Sequence, residues 1–262
     1  MNRDYKTDPE YIHQQYKNDS NLLKRMKIHR YNTNKYKWFN WIFDKFQIGD
    51  NFKILELGCG NGALWYENIS KIPNNVEIVL SDVSEGMLEE AKDKLANNKF
   101  NFKVINAESI PYNDKYFDII IANHMLYHVK DIDKALSDIK RTLKDDGVLL
   151  ASTIGKDNMK ELKSWVKKYS LNIDYMDKLA CNFGVENGRS ILSKYFSKIR
   201  YFNYNDSLKI PDIQPIIDYY ESMNKTDDDI TDYGKLNEYL SIILKRRNFI
   251  NVRKKMGVFI AK

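Results

Sequence analysis

Short apolar runs alternate with amphipathic segments along the middle of the chain, from about residue 50 to about residue 155. The apolar runs are KILELG, EIVLSD, FKVINA, YFDIIIANH and GVLLAST, and they predict five buried strands. Helical spacing between them predicts helices over residues 63–69, 85–95 and 132–143. Ser84 is the candidate N-cap of the second helix, and Asp145-Asp146-Gly147 is the predicted end of the third. This alternation indicates a parallel sheet with right-handed crossovers.

The regions on either side of this block are less regular. The first 50 residues are polar and rich in aromatic residues, and WFNWIFDKF has helical spacing, so we predict an N-terminal helical cap over residues 1–50. Near the end, KIRYFNY and VRKKMGVFIAK predict two strands, and helices are predicted over residues 160–169, 190–196, 213–223 and 235–247. The expected fold class is α/β: a Rossmann-like, seven-stranded, mostly parallel sheet flanked by helices, with the core at residues 51–262 and the cap in the same domain.

Composition and charge restrict the function classes. The chain has 262 residues, of which 43% are hydrophobic and 30% charged, as is typical of a globular domain. The net charge is +6, but the basic groups Lys245-Arg246-Arg247 and Arg253-Lys254-Lys255 fit solvated element ends about as well as a nucleic-acid surface. No run approaches the roughly 18 apolar residues of a membrane span, no secretory signal is recognised, and two cysteines predict no disulfide framework. We therefore expect a cytoplasmic monomer or homodimer, with neither membrane nor nucleic acid as partner.

The most informative segment is ILELGCGNG, residues 54–62, where Gly58, Gly60 and Gly62 are spaced G-x-G-x-G at a strand-to-helix turn. Such a turn lets a ligand approach the backbone closely. Because Ala63 follows, a dinucleotide fingerprint of the form G-x-G-x-x-A stays open. Glu56 precedes the turn, and a carboxylate there suits an ammonium group and would repel a pyrophosphate.

Asp82 ends the second strand, 20 residues after Gly62. An acidic side chain at this position can accept hydrogen bonds from both ribose hydroxyls, a role that dinucleotide enzymes share. Asp82 therefore indicates an adenosine ribose rather than one particular cofactor.

ILELGCGNG, the acidic end of the second strand and the NAESIP loop together resemble the class I S-adenosylmethionine-dependent methyltransferases. The similar subgroup acts on small molecules and includes the ubiquinone-biosynthesis and methyltransferase-11-like enzymes. The similarity covers about residues 50–155, and the segments PEYIHQQYKN, HRYNTNKYKW and ANHMLYHV also resemble a bacterial set of such enzymes. The resemblance implies S-adenosyl-L-methionine as the cofactor.

The resemblance also implies roles for individual residues. The implied cofactor contacts are Gly58, Cys59, Gly60 and Gly62 along the methionine part with Glu56 nearby, Asp82 on the ribose, Val83 and Met87 on the adenine face, Ala107 and Glu108 at its edge, and Asn123 near the methionine moiety and the acceptor. Arg25 and Tyr31 of the cap, with His29 and Asn32, are implied contacts of the cofactor's carboxylate or of the acceptor. Met87 also fits an ordinary helix core, and Glu108 a solvated loop. Asn106 stands where the family often has Asp, which leaves the role of that position open.

The residues after the fourth strand are candidates for the chemistry. His124, Tyr127 and His128 lie near the expected acceptor mouth, and His124 and His128 would share one face of a helix. His128 is the candidate general base, with a packing or capping role as the alternative. Met125 follows His124, so the zinc pattern H-E-x-x-H is missing and no metal site is expected. Further acceptor-side candidates, which fit core positions equally well, are Trp165, Tyr169, Tyr175, Asn182, Phe183 and Tyr204.

The predicted function is methyl transfer from S-adenosylmethionine to an oxygen or nitrogen of a small molecule by in-line displacement. Three alternatives stay open: an RNA or protein methyltransferase with the same cofactor site, a dinucleotide-binding dehydrogenase, and a non-catalytic cofactor-binding protein. The N-P-P-aromatic loop that grips an exocyclic amine of a nucleic-acid base is missing after the fourth strand, which favours a small-molecule acceptor.

Overall fold

The apolar runs form a seven-stranded sheet in the computed structural model, which describes residues 20–96, 99–171, 179–223 and 232–262. The strands are β1 (Lys53–Leu57), β2 (Glu77–Asp82), β3 (Phe100–Val104), β4 (Phe117–Asn123), β5 (Leu143–Ile154), β6 (Ile199–Tyr204), β7 (Ser207–Ile210), β8 (Ile250–Arg253) and β9 (Met256–Ala261). The order across the sheet is β3-β2-β1-β4-β5-β9-β6, and β9 runs antiparallel to both of its neighbours while the other pairs are parallel. The predicted Rossmann-like, mostly parallel sheet is confirmed.

Helices cover both faces of the sheet. They are α1 (Ser20–Lys27), α2 (Trp38–Phe43), α3 (Ala63–Tyr66), α4 (Glu85–Leu95), α5 (Ile132–Thr142), α6 (Lys160–Lys168), α7 (Leu179–Asn182), α8 (Gly188–Leu192), α9 (Gln214–Glu221) and α10 (Gly234–Arg247), with 3-10 turns at Ile28–Tyr31, Ile69–Lys71 and Leu126–His128. Successive residues of β1 enter two different hydrophobic clusters, Ile54 on the side of α2 and α4 and Leu55 on the side of α5. A strand that is buried on both faces explains the continuous apolar runs of the sequence.

A third hydrophobic cluster lies between the cap and the segment that connects β6 to β9. Ile28 of the cap, Leu162 of α6, Leu208 of β7 and Leu236 of α10 are all fully buried there. β7 and β8 pair antiparallel in a separate two-stranded sheet, and Asn32 forms an isolated bridge with Leu208. The end of α1 and the turn Ile28–Tyr31 thus form one additional layer with α6, β7, α9, α10 and β8. The sequence predicts helices in this region but not their packing against the cap.

Two predicted boundaries are wrong. VRKKMGVFIAK does not form one strand, because Lys254 and Lys255 separate β8 from β9. The helix over residues 132–143 does not end at Asp145-Asp146-Gly147; it ends at Thr142, and the three residues lie inside β5 because Leu143 already pairs with β4. By contrast, the range 85–95 of α4 is confirmed, and Ser84 caps it by accepting a hydrogen bond from the Met87 N–H.

Residues 1–19 of the predicted cap and the candidate Tyr175 lie outside the described residues. Of the helices in the described ranges, none has the length and apolar character needed to span a bilayer.

Candidate functional site

The carboxyl ends of the parallel strands meet at one edge of the sheet, and the strand order reverses between β1 and β4. Such a switch point is where open α/β sheets bind ligands. Leu57 pairs with Ala122, so that Gly58 and Asn123 follow at neighbouring strand ends, and Asn123 pairs with Ser152 of β5. Most of the predicted core site residues therefore converge on this edge.

The glycine turn has a backbone conformation that side chains disfavour. Gly58, Gly60 and Gly62 have φ angles of +65°, +55° and +71°, in the left-handed region that glycine adopts without steric cost. A Cβ atom on Gly58 would lie 2.8 Å from the Met125 Cβ, and one on Gly62 would lie 2.9 Å from the Leu95 Cδ1. The turn therefore requires glycine at both positions, and it presents main chain rather than side chains at the sheet edge.

Asp82 closes the turn from the end of β2. Its Oδ2 accepts a hydrogen bond from the Gly60 N–H and its Oδ1 one from the Ser84 N–H, both at 3.0 Å. Burial raises the pKa of this carboxyl, although the two backbone hydrogen bonds oppose the shift. An ionised carboxylate has about four acceptor positions, so each oxygen can still accept a ligand hydroxyl. The next side chain, Val83, is 49% exposed and offers an apolar surface beside the carboxylate, which suits an adenosine.

Glu56 lies deeper than Asp82 and is only 1% exposed. Its Oε2 accepts a hydrogen bond from the Trp65 Nε1–H at 2.6 Å. Burial raises the pKa of Glu56 to about 8, and the nearby Asp82 adds to the rise while the Trp65 hydrogen bond opposes it. A cationic group beside Glu56 would stabilise its ionised form. We did not single out Trp65 from the sequence, since only the fold brings α3 back over the end of β1.

Cys59 is a buried free thiol within the turn. Burial raises its pKa, and the carboxylates of Asp82 and Glu56 add to the rise. The thiol is therefore protonated at neutral pH, and it contributes a small apolar surface rather than a nucleophile.

Three of the residues predicted to contact adenine are buried or form hydrogen bonds within the protein. Met87 is 1% exposed and Ala107 3% exposed, so both lie in the core. The Glu108 Oε1 accepts hydrogen bonds from the backbone N–H groups of Lys130 and Asp131 before α5, at 3.2 Å and 3.1 Å. Glu108 therefore has a structural role in addition to the predicted contact with adenine, which stays a prediction.

The end of β4 is held by a short polar chain. Ser152 donates a hydrogen bond from its Oγ to the Asn123 Oδ1 at 2.6 Å, and the same Oγ accepts the His124 N–H at 2.9 Å. His124 has a φ of +55°, and such a conformation in a non-glycine residue costs roughly 1 kcal/mol or more and is typical of functional sites. The expectation that His124 and His128 share a helix face is wrong, because His128 ends a separate 3-10 turn. Ser152 had no signal in the sequence.

The turn that carries His128 is tied to α7. The side-chain amide of Asn182 donates hydrogen bonds to the backbone carbonyls of Tyr127 and Val129, at 3.1 Å and 2.8 Å. The Tyr127 ring is almost buried, and it contacts the His128 ring at a centroid distance of 4.7 Å. Of the predicted acceptor-side residues, Asn182 thus acts by holding this turn, whereas Phe183 is fully buried in the core.

Three buried ring nitrogens lie in the cap and just after the end of β4. They are the His29 Nδ1 of the cap, the Trp38 Nε1 at the start of α2 and the His124 Nδ1, and none of the three has a hydrogen-bond partner in the described part of the chain. We call these three residues the histidine–tryptophan cluster. The Trp38 and His124 ring centroids lie 5.0 Å apart. A buried polar group without a partner costs about 1–3 kcal/mol, so the cluster is a place where a ligand would gain affinity.

A buried ion pair stands behind this cluster. The Lys254 Nζ lies 2.9 Å from the Asp206 Oδ2, and the two side chains are 3% and 0% exposed. The Asp206 Oδ1 also accepts the backbone N–H groups of Thr33 and Asn34, so the pair fastens the cap to the sheet. Burial, followed by the Lys254 charge, lowers the pKa of His29 and of His124 to about 3, which leaves both imidazoles neutral at physiological pH.

The remaining candidates, from the cap and from the acceptor side, pack within the protein. Arg25 is 9% exposed, and Tyr31 is half-buried against the third hydrophobic cluster. Trp165 and Tyr169 belong to this third cluster too, and the Tyr204 hydroxyl donates to the Tyr36 carbonyl at 2.6 Å. Their contacts with a ligand stay predictions.

Within the described ranges, no group of three or more His, Cys, Asp or Glu side chains is arranged to hold a metal ion.

Comparison with known proteins adds independent support. The sequence model of the family described as "Methyltransferase domain" matches residues 48–209, more than half of the chain. A ubiquinone/menaquinone biosynthesis C-methyltransferase, UbiE, from Francisella tularensis is 36% identical over 126 residues, which are 47% of this chain and 50% of that protein. The chain spans about half the length of the curated relatives it matches.

Two solved structures illustrate the similarity of fold. YcgJ from Bacillus subtilis superimposes with a TM-score of 0.58 at 18% identity, over 85% of this chain and 96% of that one. Phosphoethanolamine N-methyltransferase 2 from Haemonchus contortus, solved with S-adenosyl-L-methionine, superimposes with a TM-score of 0.56 at 18% identity, over 99% and 59%. These identities show a common fold alone. Together with the family match over most of the sheet and the glycine turn beside Asp82, they lead to one conclusion: the chain belongs to the class I S-adenosylmethionine-dependent methyltransferases.

Proposed function

We propose that the protein transfers a methyl group from S-adenosylmethionine to a nucleophilic oxygen or nitrogen of a small molecule. The observation that carries this proposal is the pairing of Asp82 with the glycine turn at the switch point of the sheet. Asp82 keeps free acceptor positions on both oxygens, and Val83 beside it is exposed, as an adenosine site requires. The polar chain at the end of β4 lies at the neighbouring strand end, and this position supports an acceptor entrance there.

The residues that would hold the cofactor follow from their positions. Glu56 would face its ammonium group, Asp82 its ribose, and Asn123 the boundary between methionine and acceptor. The remaining proposed contacts are Gly58, Cys59, Gly60 and Gly62 along the methionine, Val83, Met87, Ala107 and Glu108 around adenine, and Arg25 and Tyr31 from the cap. S-adenosylmethionine supplies a methyl group on a sulfonium, which is already a strong electrophile.

The protein's own contribution is orientation of the acceptor and exclusion of water. In this proposal Trp38 of the cap covers the acceptor side, since its ring packs on His124, and the buried pair Lys254–Asp206 fastens the cap to the sheet. A covered acceptor site favours a small molecule over RNA or protein. The names of the curated relatives support the same class of acceptor, although they describe a C-methyltransferase.

A proton acceptor is needed only where the acceptor is weakly nucleophilic at neutral pH. His128 is our candidate for this role, and the Tyr127 ring packs edge-to-face against its imidazole. His124 is poorly suited to take a proton, because its pKa of about 3 makes it a weak base. His124 therefore serves as a hydrogen-bonding residue in this proposal.

The proposal is tested by ligand binding and then by transfer. S-adenosylhomocysteine should raise the melting temperature of the full chain and NAD should not, since a ligand stabilises the state that binds it. Isotopically methyl-labelled S-adenosylmethionine should then label a small molecule in a metabolite extract. Stabilisation by NAD would replace the proposal with a dinucleotide binder. Labelling of RNA or protein instead would assign a macromolecular acceptor, and cofactor binding without any labelled product would assign a non-catalytic protein.

The role of His128 is tested separately. His128→Asn should lower kcat while leaving the affinity for S-adenosylhomocysteine unchanged, and the loss should diminish at higher pH, where the acceptor ionises by itself. Unchanged turnover in both His128→Asn and His128→Ala would remove the base role and leave the methyltransferase proposal intact.

A further inference from the structure

The histidine–tryptophan cluster of His29, Trp38 and His124 has a composition that points to one class of acceptor. We infer that the acceptor carries an oxyanion, either a carboxylate or an ionised phenol or enol, and that this cluster binds it. The inference rests on the proposed function, because it describes the second substrate of that reaction.

The three rings come from separate segments, two in the cap and one just after the end of β4. Trp38 and His124 are in ring contact, with centroids 5.0 Å apart, and His29 lies three residues before Asn32, whose side-chain oxygen accepts a hydrogen bond from the buried Lys254. The Trp38 Nε1–H can only donate a hydrogen bond. A neutral imidazole with its proton on Nδ1 donates as well. An anionic ligand beside the contacting rings of Trp38 and His124 would satisfy the nitrogens that these two rings leave without partners.

The charge around the cluster selects an anion. Lys254 acts electrostatically on both His29 and His124. The oxygens of its counter-ion Asp206 are already engaged, Oδ1 by backbone N–H groups and Oδ2 by the Lys254 Nζ. The Lys254 ammonium also donates to the Asn32 Oδ1 at 3.1 Å and lies 5.7 Å from the centroid of the Tyr204 ring, which packs on Trp38. A buried ammonium this close to the cluster favours an anionic acceptor over an ammonium group.

The same chain offers a matched control for the tryptophan. Trp41 stacks on Trp38 at a centroid distance of 5.4 Å and also contacts Tyr204. Trp41→Phe therefore makes the same substitution in the same aromatic cluster. His124→Asn is a second variant, chosen because asparagine tolerates the positive φ of this position.

The experiment uses the full chain saturated with S-adenosylhomocysteine and isothermal titration with four single-ring probes. Benzoate and 4-nitrophenolate are the two anions, benzyl alcohol is the neutral probe and benzylamine the cation. We expect one or both anions to bind at least about tenfold more tightly than the neutral and cationic probes, as hydrogen bonds to a charged group imply. A preference for benzoate identifies a carboxylate, and a preference for 4-nitrophenolate identifies a phenolate or enolate.

Trp38→Phe and His124→Asn should each lower the affinity for the preferred anion by about tenfold, whereas Trp41→Phe should leave that affinity unchanged. The affinity for S-adenosylhomocysteine should be unchanged in all three variants, which also shows that they fold. Failure of both anions to bind the loaded protein, or binding of benzylamine as tight as that of the preferred anion, overturns the inference. So does a loss of S-adenosylhomocysteine affinity confined to Trp38→Phe and His124→Asn, because the cluster would then hold the cofactor's own carboxylate. Failure of S-adenosylhomocysteine to bind the wild-type protein would instead reject the proposed function.

Discussion

In the cofactor half of the site, the glycine turn and the carboxylates of Glu56 and Asp82 come from one continuous stretch of chain, whereas the acceptor half takes its side chains from distant segments. The cofactor half consists of a glycine turn and two buried carboxylates whose hydrogen bonds are formed within the protein. The acceptor half combines His29, Trp38 and His124 with the pair Lys254–Asp206, and three of its ring nitrogens have no partner in the described residues.

This difference separates two kinds of site. Where the polar groups of a site already have hydrogen-bond partners within the protein, the site is preformed, and a ligand adds contacts to it. A half with unpaired buried groups carries a free-energy cost that a ligand can remove. Substitutions in the cofactor half should therefore change cofactor affinity and leave acceptor affinity unaltered, whereas substitutions in the acceptor half should change acceptor affinity and stability at acid pH.

The largest expected effect is that of Asp82→Ala on the cofactor half. The substitution removes the acceptor of the Gly60 and Ser84 N–H groups together with the proposed ribose contacts. Each hydrogen bond to a charged group contributes about 1.5–3 kcal/mol, so the affinity for S-adenosylhomocysteine should fall at least about a hundredfold. Isothermal titration of S-adenosylhomocysteine into each variant measures this affinity. Glu85→Ala, which removes an exposed carboxylate three residues away, is the control and should retain wild-type affinity. Wild-type affinity in Asp82→Ala would show that the ribose lies elsewhere.

The second prediction concerns acid stability and the acceptor half. The pKa of His29 and of His124 falls from 6.5 to about 3 on folding, so the fold stabilises their neutral forms. This contribution is present above pH 6.5 and is lost as the pH falls toward 3, by up to about 1.4 kcal/mol for each histidine and each pH unit. Urea unfolding between about pH 7 and pH 5 should show the decline.

The matched variants are His29→Gln, His124→Asn and the double variant. Each single substitution should remove about half of the slope, and the double variant should be nearly flat in this range. A double variant as acid-sensitive as the wild type would show that other groups cause the loss.

The third prediction uses the pH dependence of Glu56. Its pKa of about 8 means that the ligand-free protein keeps Glu56 protonated at neutral pH. The proposed ammonium contact needs the ionised form, so S-adenosylhomocysteine affinity should rise as the pH increases toward 8, by up to about tenfold per unit. Glu56→Gln should abolish this rise, and a titration series over pH measures both proteins.

The stability of the ligand-free protein gives the check on Glu56. A carboxyl whose pKa is raised in the fold stabilises the protein below its unfolded value, 4.5, and this stability is lost as the pH rises through about 8. Ligand-free Glu56→Gln should therefore melt higher than the wild type at about pH 9. A lower melting temperature there would mean that the fold does not disfavour the ionised form of Glu56, so that its pKa is not raised and the pH effect has another source.

The two halves also differ in how far they can be predicted from sequence. β1, the glycine turn and Asp82 depend on short-range spacing, so the periodic pattern and the motif locate them together. The Lys254–Asp206 pair depends on how remote segments pack, and the Glu56–Trp65 hydrogen bond depends on how α3 folds back over the end of β1. A single sequence has no periodic signal for either. The division of the last strand into β8 and β9 has the same origin, since Lys254 leaves the sheet to reach Asp206. His124 was predicted as a site residue, but its left-handed backbone was not.

The smallest expected effect comes from Asn182, which touches neither proposed ligand. Its amide holds the Tyr127 and Val129 carbonyls and thereby fixes the turn that carries His128. Asn182→Ala removes two hydrogen bonds of about 1 kcal/mol each, and kcat should fall several-fold because the turn becomes less well positioned, while cofactor affinity stays unchanged. Ser190→Ala, an exposed position on α8, is the control. If cofactor affinity fell in parallel with kcat, the turn would belong to the cofactor half, and the division of the site between β1–β2 and β4 would have to be redrawn.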